Sequence, residues 1–93
     1  LDYKDMSISR LKSGVKSIQR GTFTVTSGNA SGTDMITAVN TARSELHLLG
    51  SEGSGGVTTL FVKLVLTNAT TITATRNGTG ADVNISWEVV EYF

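Results

Sequence analysis

The sequence contains no cysteine and only one histidine, His47, among its 93 residues. The absence of cysteine excludes disulfides and thiolate metal sites, and one histidine leaves little with which to build a zinc site, so we expect no metal and no cofactor. A domain of this size has a small core and a thin margin of stability, which disulfides, metals or oligomerisation commonly widen. Oligomerisation is the remaining route, and we therefore expect the chain to associate with copies of itself.

Charge and long apolar runs are also scarce. The formal net charge is zero, and no apolar run approaches the roughly 20 residues of a membrane-spanning helix. Residues 1–20 nevertheless carry five bases against two acids, whereas residues 21–93 carry three bases against six acids. Because the basic beginning has almost no aromatic residues, it is a weak match to nucleic acid. We expect it to contact protein, with no nucleic-acid partner and no membrane insertion.

The abundant residues are those of a β-protein. Threonine occurs 14 times, serine 10, glycine 10 and asparagine 5 times, while proline is absent. Threonine suits the exposed face of a sheet, and glycine and asparagine suit turns. The composition predicts an all-β fold, a small antiparallel β-sandwich of about six strands. We assign residues 17–93 to the sandwich and residues 1–16 to an N-terminal extended arm.

The arm has helical spacing of its apolar residues, with basic residues off that stripe, and Gly14 interrupts the pattern. We expect an extended or briefly helical segment that becomes ordered on contact with another protein. An alternative exists for residues 1–5, because residues 2–5 match the opening of a common epitope tag and Met6 follows them. The predicted attachment residues are Ile8, Arg10, Leu11, Lys12, Val15 and Lys16.

Most of the body shows the alternation of β-strands. In residues 22–26, Phe23 and Val25 face a core and the threonines face outward. Residues 34–50 fit two alternatives: a helix capped by Asp34, or two strands at 35–39 and 45–49 around a turn at 40–43.

Two further strands close the chain. Residues 60–66 are apolar on both faces, which predicts a central strand or a strand that meets a partner. Residues 77–80 predict a hairpin, and residues 83–93 a final docked strand. Four apolar or aromatic residues of these two strands form the predicted face between subunits: Phe61, Val65, Val90 and Tyr92.

Little in the sequence indicates catalysis. His47 is the only residue suited to act as the base of a catalytic triad, and it lies among ordinary strand residues. Glu45 and His47 share a strand face, but two residues do not make a metal site. Trp87, the only tryptophan, fits core packing, with a sugar-stacking platform as the alternative. The sequence predicts no enzyme, no catalytic residue and no metal ligand.

Three stretches, residues 15–22, 68–76 and 83–92, carry a resemblance to a known group of domains. Together they resemble the small β-sandwich domains of tailed-bacteriophage virion proteins, found in fibres and in capsid or tail appendages. Those domains are similar to H-type lectin domains, which also end in a strand with such a tryptophan. The resemblance implies strands at residues 36–44 in place of the helix, and it implies a trimer.

The resulting hypothesis is a non-enzymatic virion protein, a homotrimeric decoration or fibre-type component whose arm binds capsid or tail. The alternative is a lectin-like module that recognises a host surface glycan through its loops and Trp87.

Overall fold

A computed structural model describes residues 14–93. This part of the chain contains six β-strands, one four-residue α-helix and one 3-10 helix. They are β1 (Val15–Val25), β2 (Ser31–Met35), the 3-10 helix (Thr41–Arg43), β3 (Ser44–Glu52), α1 (Val57–Leu60), β4 (Lys63–Asn68), β5 (Thr71–Thr75) and β6 (Val83–Tyr92). The predicted all-β fold of about six strands is confirmed.

The strands form two antiparallel three-stranded sheets. One sheet, with the order β1-β6-β3, has strands of nine to eleven residues and is called the long sheet below. The other, with the order β2-β5-β4, has strands of five or six residues and is called the short sheet. The two sheets pack face to face, with β1 over β2 and β3 over β4.

The core lies between the two sheets because the central strands of both alternate as the sequence predicts. In β6, the side chains of Val83, Ile85, Trp87 and Val89 are all buried. In β5, Ile72 and Ala74 are buried, and the threonines between them face outward. Burial of alternate apolar residues fixes the register, since a slip by one residue would turn every one of them to solvent.

The two ends of the sandwich differ. At one end, called the terminal end, the start of β1 pairs with the end of β6 through Val15 and Tyr92. The opposite end, called the loop end, carries the connections at residues 26–30, 53–62 and 76–82. The chain therefore enters and leaves the described domain at the same end.

Residues 34–50 do not form a helix, and the strand pair predicted there is only partly correct. The predicted strand at 45–49 lies within β3, and the predicted turn at 40–43 is the 3-10 helix with its cap. The strand predicted at 35–39, however, ends at Met35. Beyond it, the backbone N–H groups of Ile36 and Val39 donate to the Thr70 and Ala69 carbonyls, and both side chains are buried. Residues 36–39 thus cover this part of the core without forming a strand.

The strand predicted at 60–66 is also wrong in part. Its first residue belongs to α1, and β4 begins only at Lys63. The Phe61 N–H donates to the Val57 carbonyl, which closes a helical turn where a strand was expected. In addition, β4 is an edge strand, not a central one.

The hairpin predicted at residues 77–80 is absent, because β5 and β6 belong to different sheets. The connection crosses between the sheets, and its backbone binds neighbouring loops: the Gly78 N–H donates to the Thr58 carbonyl, and the Thr79 carbonyl accepts from Gly28. A tight hairpin does occur between β4 and β5, with its turn at residues 69–70.

Candidate functional site

The four residues predicted to form one face between subunits lie on opposite sides of the sandwich. Val90 and Tyr92 lie on the outer face of the long sheet, opposite the buried residues of β6. Val65 lies on the outer face of the short sheet, and Phe61 lies at the loop end, 74% exposed. A single flat surface cannot contain all four, so the prediction of one shared face is wrong.

The outer face of the long sheet brings apolar and charged side chains together. Ile18 on β1 and Glu45 on β3 both pair with Val90 on β6. Val90 points outward, yet it is only 8% exposed, whereas Ile18 is 49% exposed. The centre of this face is therefore already shielded by its neighbours.

Charged partners surround that centre. The Arg20 Nε lies 2.7 Å from the Glu88 Oε2 across β1 and β6. On β3, the Glu45 Oε2 lies 3.3 Å from the His47 Nε2, and the Tyr92 hydroxyl donates to the same oxygen. Partial burial, with the Glu45 carboxylate beside it, raises the pKa of Tyr92. His47 thus lies on a strand face with Glu45, as predicted.

Trp87 lies in the core and not on the surface. Its side chain is 4% exposed, and its Nε1 donates to the Asp34 Oδ2 at 3.0 Å. It packs with Ile36, Ile72 and Val89. The ring therefore has no free face for a sugar, and the prediction of Trp87 as a glycan contact is wrong.

The predicted attachment residues fall on both sides of the described boundary. Ile8, Arg10, Leu11 and Lys12 lie outside the described residues. Val15 and Lys16 belong to the domain, because β1 begins at Val15 and the Lys16 Nζ lies 3.9 Å from the Glu91 Oε2. The folded domain therefore begins before the predicted boundary at residue 16, because β1 pairs with β6 from Val15 onward.

Glu91 is a buried carboxylate that joins three parts of the terminal end. It is 6% exposed, on the inner face of β6. Its Oε2 accepts from the Asn40 backbone N–H at 2.8 Å, and its Oε1 accepts from the Ser17 hydroxyl at 3.2 Å. The Asn40 N–H, followed by the Lys16 ammonium and the Ser17 hydroxyl, lowers the pKa of Glu91 despite its burial.

This lowered pKa makes part of the stability depend on pH. Because the folded state holds the carboxylate ionised more strongly than the unfolded state does, its contribution is complete above the ordinary glutamate pKa of about 4.3. The contribution is then lost as the pH falls through the lower folded value. We expect Glu91→Gln to be less stable than the parent at pH 7, and the difference to shrink toward pH 3. Urea denaturation between these pH values measures it, with the exposed Glu52→Gln as control. A difference that stays constant with pH would contradict the assignment.

Arg76 is a second buried charge, at the loop end. It is 6% exposed, and its guanidinium donates to three backbone carbonyls, those of Thr26, Asn29 and Thr59. No carboxylate of residues 14–93 lies within ion-pairing distance of it. Arg76 therefore fixes the β1–β2 connection and α1 relative to β5.

Two surface depressions lie near the loop end. One, of about 350 Å³, is lined by Phe61, Lys63 and Asn77 among others. The other, of about 550 Å³, is lined by two acids, Glu52 and Asp82, with Asn84. The Asp82 Oδ1 already accepts from the Ser27 N–H at 2.7 Å. In the described part of the chain, no three histidine or acidic side chains are grouped so as to hold a metal ion.

Sequence reasoning missed Arg76 and Glu91, although a signal for both was present. The alternation of apolar residues with threonines places Ile72 and Ala74 on the inner face of β5, and Arg76 continues it. Similarly, every second residue from Val83 to Val89 is apolar and faces inward, and Glu91 is the next in that series. Extending the period-two pattern to the charged residue at its end would have placed both side chains inside.

Comparison with family models, with curated proteins and with solved structures gave no match. Among the described residues, no helix has the length and apolar character needed to cross a membrane. Any functional assignment therefore depends on the surfaces described above.

Proposed function

We propose that this domain is a non-enzymatic structural component of a bacteriophage particle, a homotrimeric decoration or fibre-type protein attached to capsid or tail by its N-terminal segment. The resemblance to virion domains supports this proposal. Its three stretches correspond to β1, to the β4–β5 hairpin with β5, and to β6. They thus include the central strand of each sheet.

The observation that carries the proposal is the apolar surface at the terminal end. Val15 is 41% exposed, Ile18 49%, Tyr92 37% and Phe93 64%. The Phe93 N–H donates to the Gly14 carbonyl, which holds the last residue beside the point where residues 1–13 join the domain. Exposed apolar clusters of this kind mark surfaces that other proteins cover. This apolar surface lies where the N-terminal segment joins the domain. Its position fits a protein whose contacts with other copies and with the particle are made at the same end.

The loop end supports the same orientation. Arg76 and backbone hydrogen bonds join its connections to one another. The loop end is therefore an ordered surface, opposite the end at which the attachment segment joins the domain. On an attached protein that end would face away from the particle.

The test is a binding experiment with purified particles and a variant that lacks residues 1–13. The deletion ends at residue 13 because β1 begins at Val15. We expect the shortened protein to remain folded, with the fluorescence of a buried Trp87, but no longer to co-sediment with particles from which the protein has been removed. The full chain should co-sediment and should be detected by mass spectrometry in gradient-purified particles. Its absence from such particles, or undiminished binding of the shortened protein, would contradict the proposal.

A further inference from the structure

The structure assigns self-association to one surface, the outer face of the long sheet, and the partner is a second copy of this chain. The exposed apolar residues of this surface, Ile18 and Tyr92, lie beside the shielded Val90. This inference rests on the proposed function, since it locates the contact that a homotrimer requires. It adds that the attachment segments of all copies leave the assembly together.

The size of the surface favours the long sheet over the short one. Strands of up to eleven residues give the long sheet a face of roughly 35 by 14 Å, or on the order of 500 Å² in projection. Specific protein interfaces bury about 800 Å² per partner, so this face supplies the larger part of one. The strands of the short sheet have five or six residues, and its face is about half as long.

The chemistry of the two outer faces points the same way. The short sheet presents mainly hydroxyls, among them Thr33, Thr71 and Thr73, which water can solvate. Its exposed apolar side chains, Met35 and Val65, lie on opposite edge strands. The long sheet presents an apolar centre with a rim of ion pairs and hydrogen bonds, formed by Arg20 with Glu88 and by Tyr92 with Glu45. A dry centre inside a polar rim is the arrangement found where binding energy concentrates in protein interfaces.

The charges identify the partner as a like surface. The rim carries the base Arg20 on β1 and the acids Glu45 and Glu88 on β3 and β6. A face with both signs on different strands can pair its base with an acid of a rotated copy, whereas a strongly acidic or strongly basic partner would meet like charges. A second copy is therefore the best complement.

Assembly through this surface has a consequence for attachment. Val15 and Phe93 lie at its edge, so residues 1–13 of neighbouring copies begin close together. Three weak attachment segments that start at one place act as one multivalent ligand, and their combined affinity exceeds that of one segment by factors of roughly 10² or more.

The test uses three single glutamate substitutions at exposed positions, measured by sedimentation equilibrium at micromolar concentration. Ile18→Glu lies on the assigned surface, Thr33→Glu on the outer face of the short sheet, and Phe61→Glu at the loop end. We expect the parent, Thr33→Glu and Phe61→Glu to sediment at three times the 9.8 kDa chain mass, and Ile18→Glu at the chain mass. Trp87 fluorescence verifies that each variant is folded.

Cysteine cross-linking provides a second measurement that does not disturb the contact, since the chain has no cysteine of its own. We expect Thr22→Cys, on the outer face of the long sheet, to form disulfide-linked copies faster than Thr33→Cys. If Phe61→Glu dissociates and Ile18→Glu remains trimeric, the assigned surface is wrong, although self-association stands. If the parent itself is a monomer, the trimer of the proposed function is wrong as well.

Discussion

Replacement of Arg76 by leucine is expected to lower the free energy of unfolding by about 3–5 kcal/mol, because it removes a buried charge that supplies three hydrogen bonds. The guanidinium donates to the carbonyls of Thr26, Asn29 and Thr59 over 3.0 to 3.3 Å. Leucine fills part of the space but leaves the three carbonyls without their donor, and that of Thr59 is buried. Since a domain of this size has a total stability near the lower end of about 5–15 kcal/mol, the loss would remove most of it.

Two control substitutions separate hydrogen bonding from charge. Arg43→Ala removes an equal charge from an exposed position and should change the stability by less than about 0.5 kcal/mol. Arg76→Lys keeps the charge but cannot reach three carbonyls in different directions, so it should lose most of what Arg76→Leu loses. Urea denaturation followed by Trp87 fluorescence measures all three. Equal stability of Arg76→Leu and Arg43→Ala would show that Arg76 does not hold the loops together.

The sequence predicted those elements whose burial follows a simple period. Every second residue of β6 from Val83 to Val89 is apolar, and the same is true of Ile72 and Ala74 in β5. This alternation orients both strands, with these residues inward. Leu64 and Leu66 likewise share one face of β4 by alternation, and both pack against the core.

The sequence could not show how the strands are distributed between sheets. Residues 77–80 have the composition of a tight hairpin, but the burial of both β5 and β6 at the centres of different sheets forces this connection to cross. Likewise, Leu60, Val62 and Leu64 alternate as in a strand, yet Leu60 lies in the helical turn α1. Its side chain still packs against the core. Local pattern reports which side chains are inside; pairing over long sequence distances decides which strand lies beside which.

The position of Trp87 changes how a glycan-binding test must be designed. Trp87→Ala would abolish binding of any ligand if it unfolded the domain, so loss of binding would not identify a sugar site. The exposed Phe61, beside the depression of about 350 Å³, is the informative position for that experiment, because its removal leaves the core intact.

The second large effect concerns the core contact of Trp87 itself. Trp87→Ala should destabilise the domain by about 3–5 kcal/mol, as is usual for a buried large aromatic residue. Trp87→Phe retains much of the apolar surface but leaves the Asp34 carboxylate without the indole N–H, and it should cost about 1–3 kcal/mol. Circular dichroism replaces fluorescence as the probe here, because both variants lack the only tryptophan.

Gly21 provides an internal test of the same contact. It pairs with Trp87 across β1 and β6, and a methyl group at Gly21 would lie 2.7 Å from the indole Cζ2. Gly21→Ala should therefore destabilise the parent by about 1–3 kcal/mol through overpacking. Because a phenyl ring lacks the benzo atoms that meet this methyl group, the same substitution should cost less in the Trp87→Phe background, with a coupling energy of at least about 0.5 kcal/mol. Equal costs in the two backgrounds would mean that the indole does not lie over Gly21.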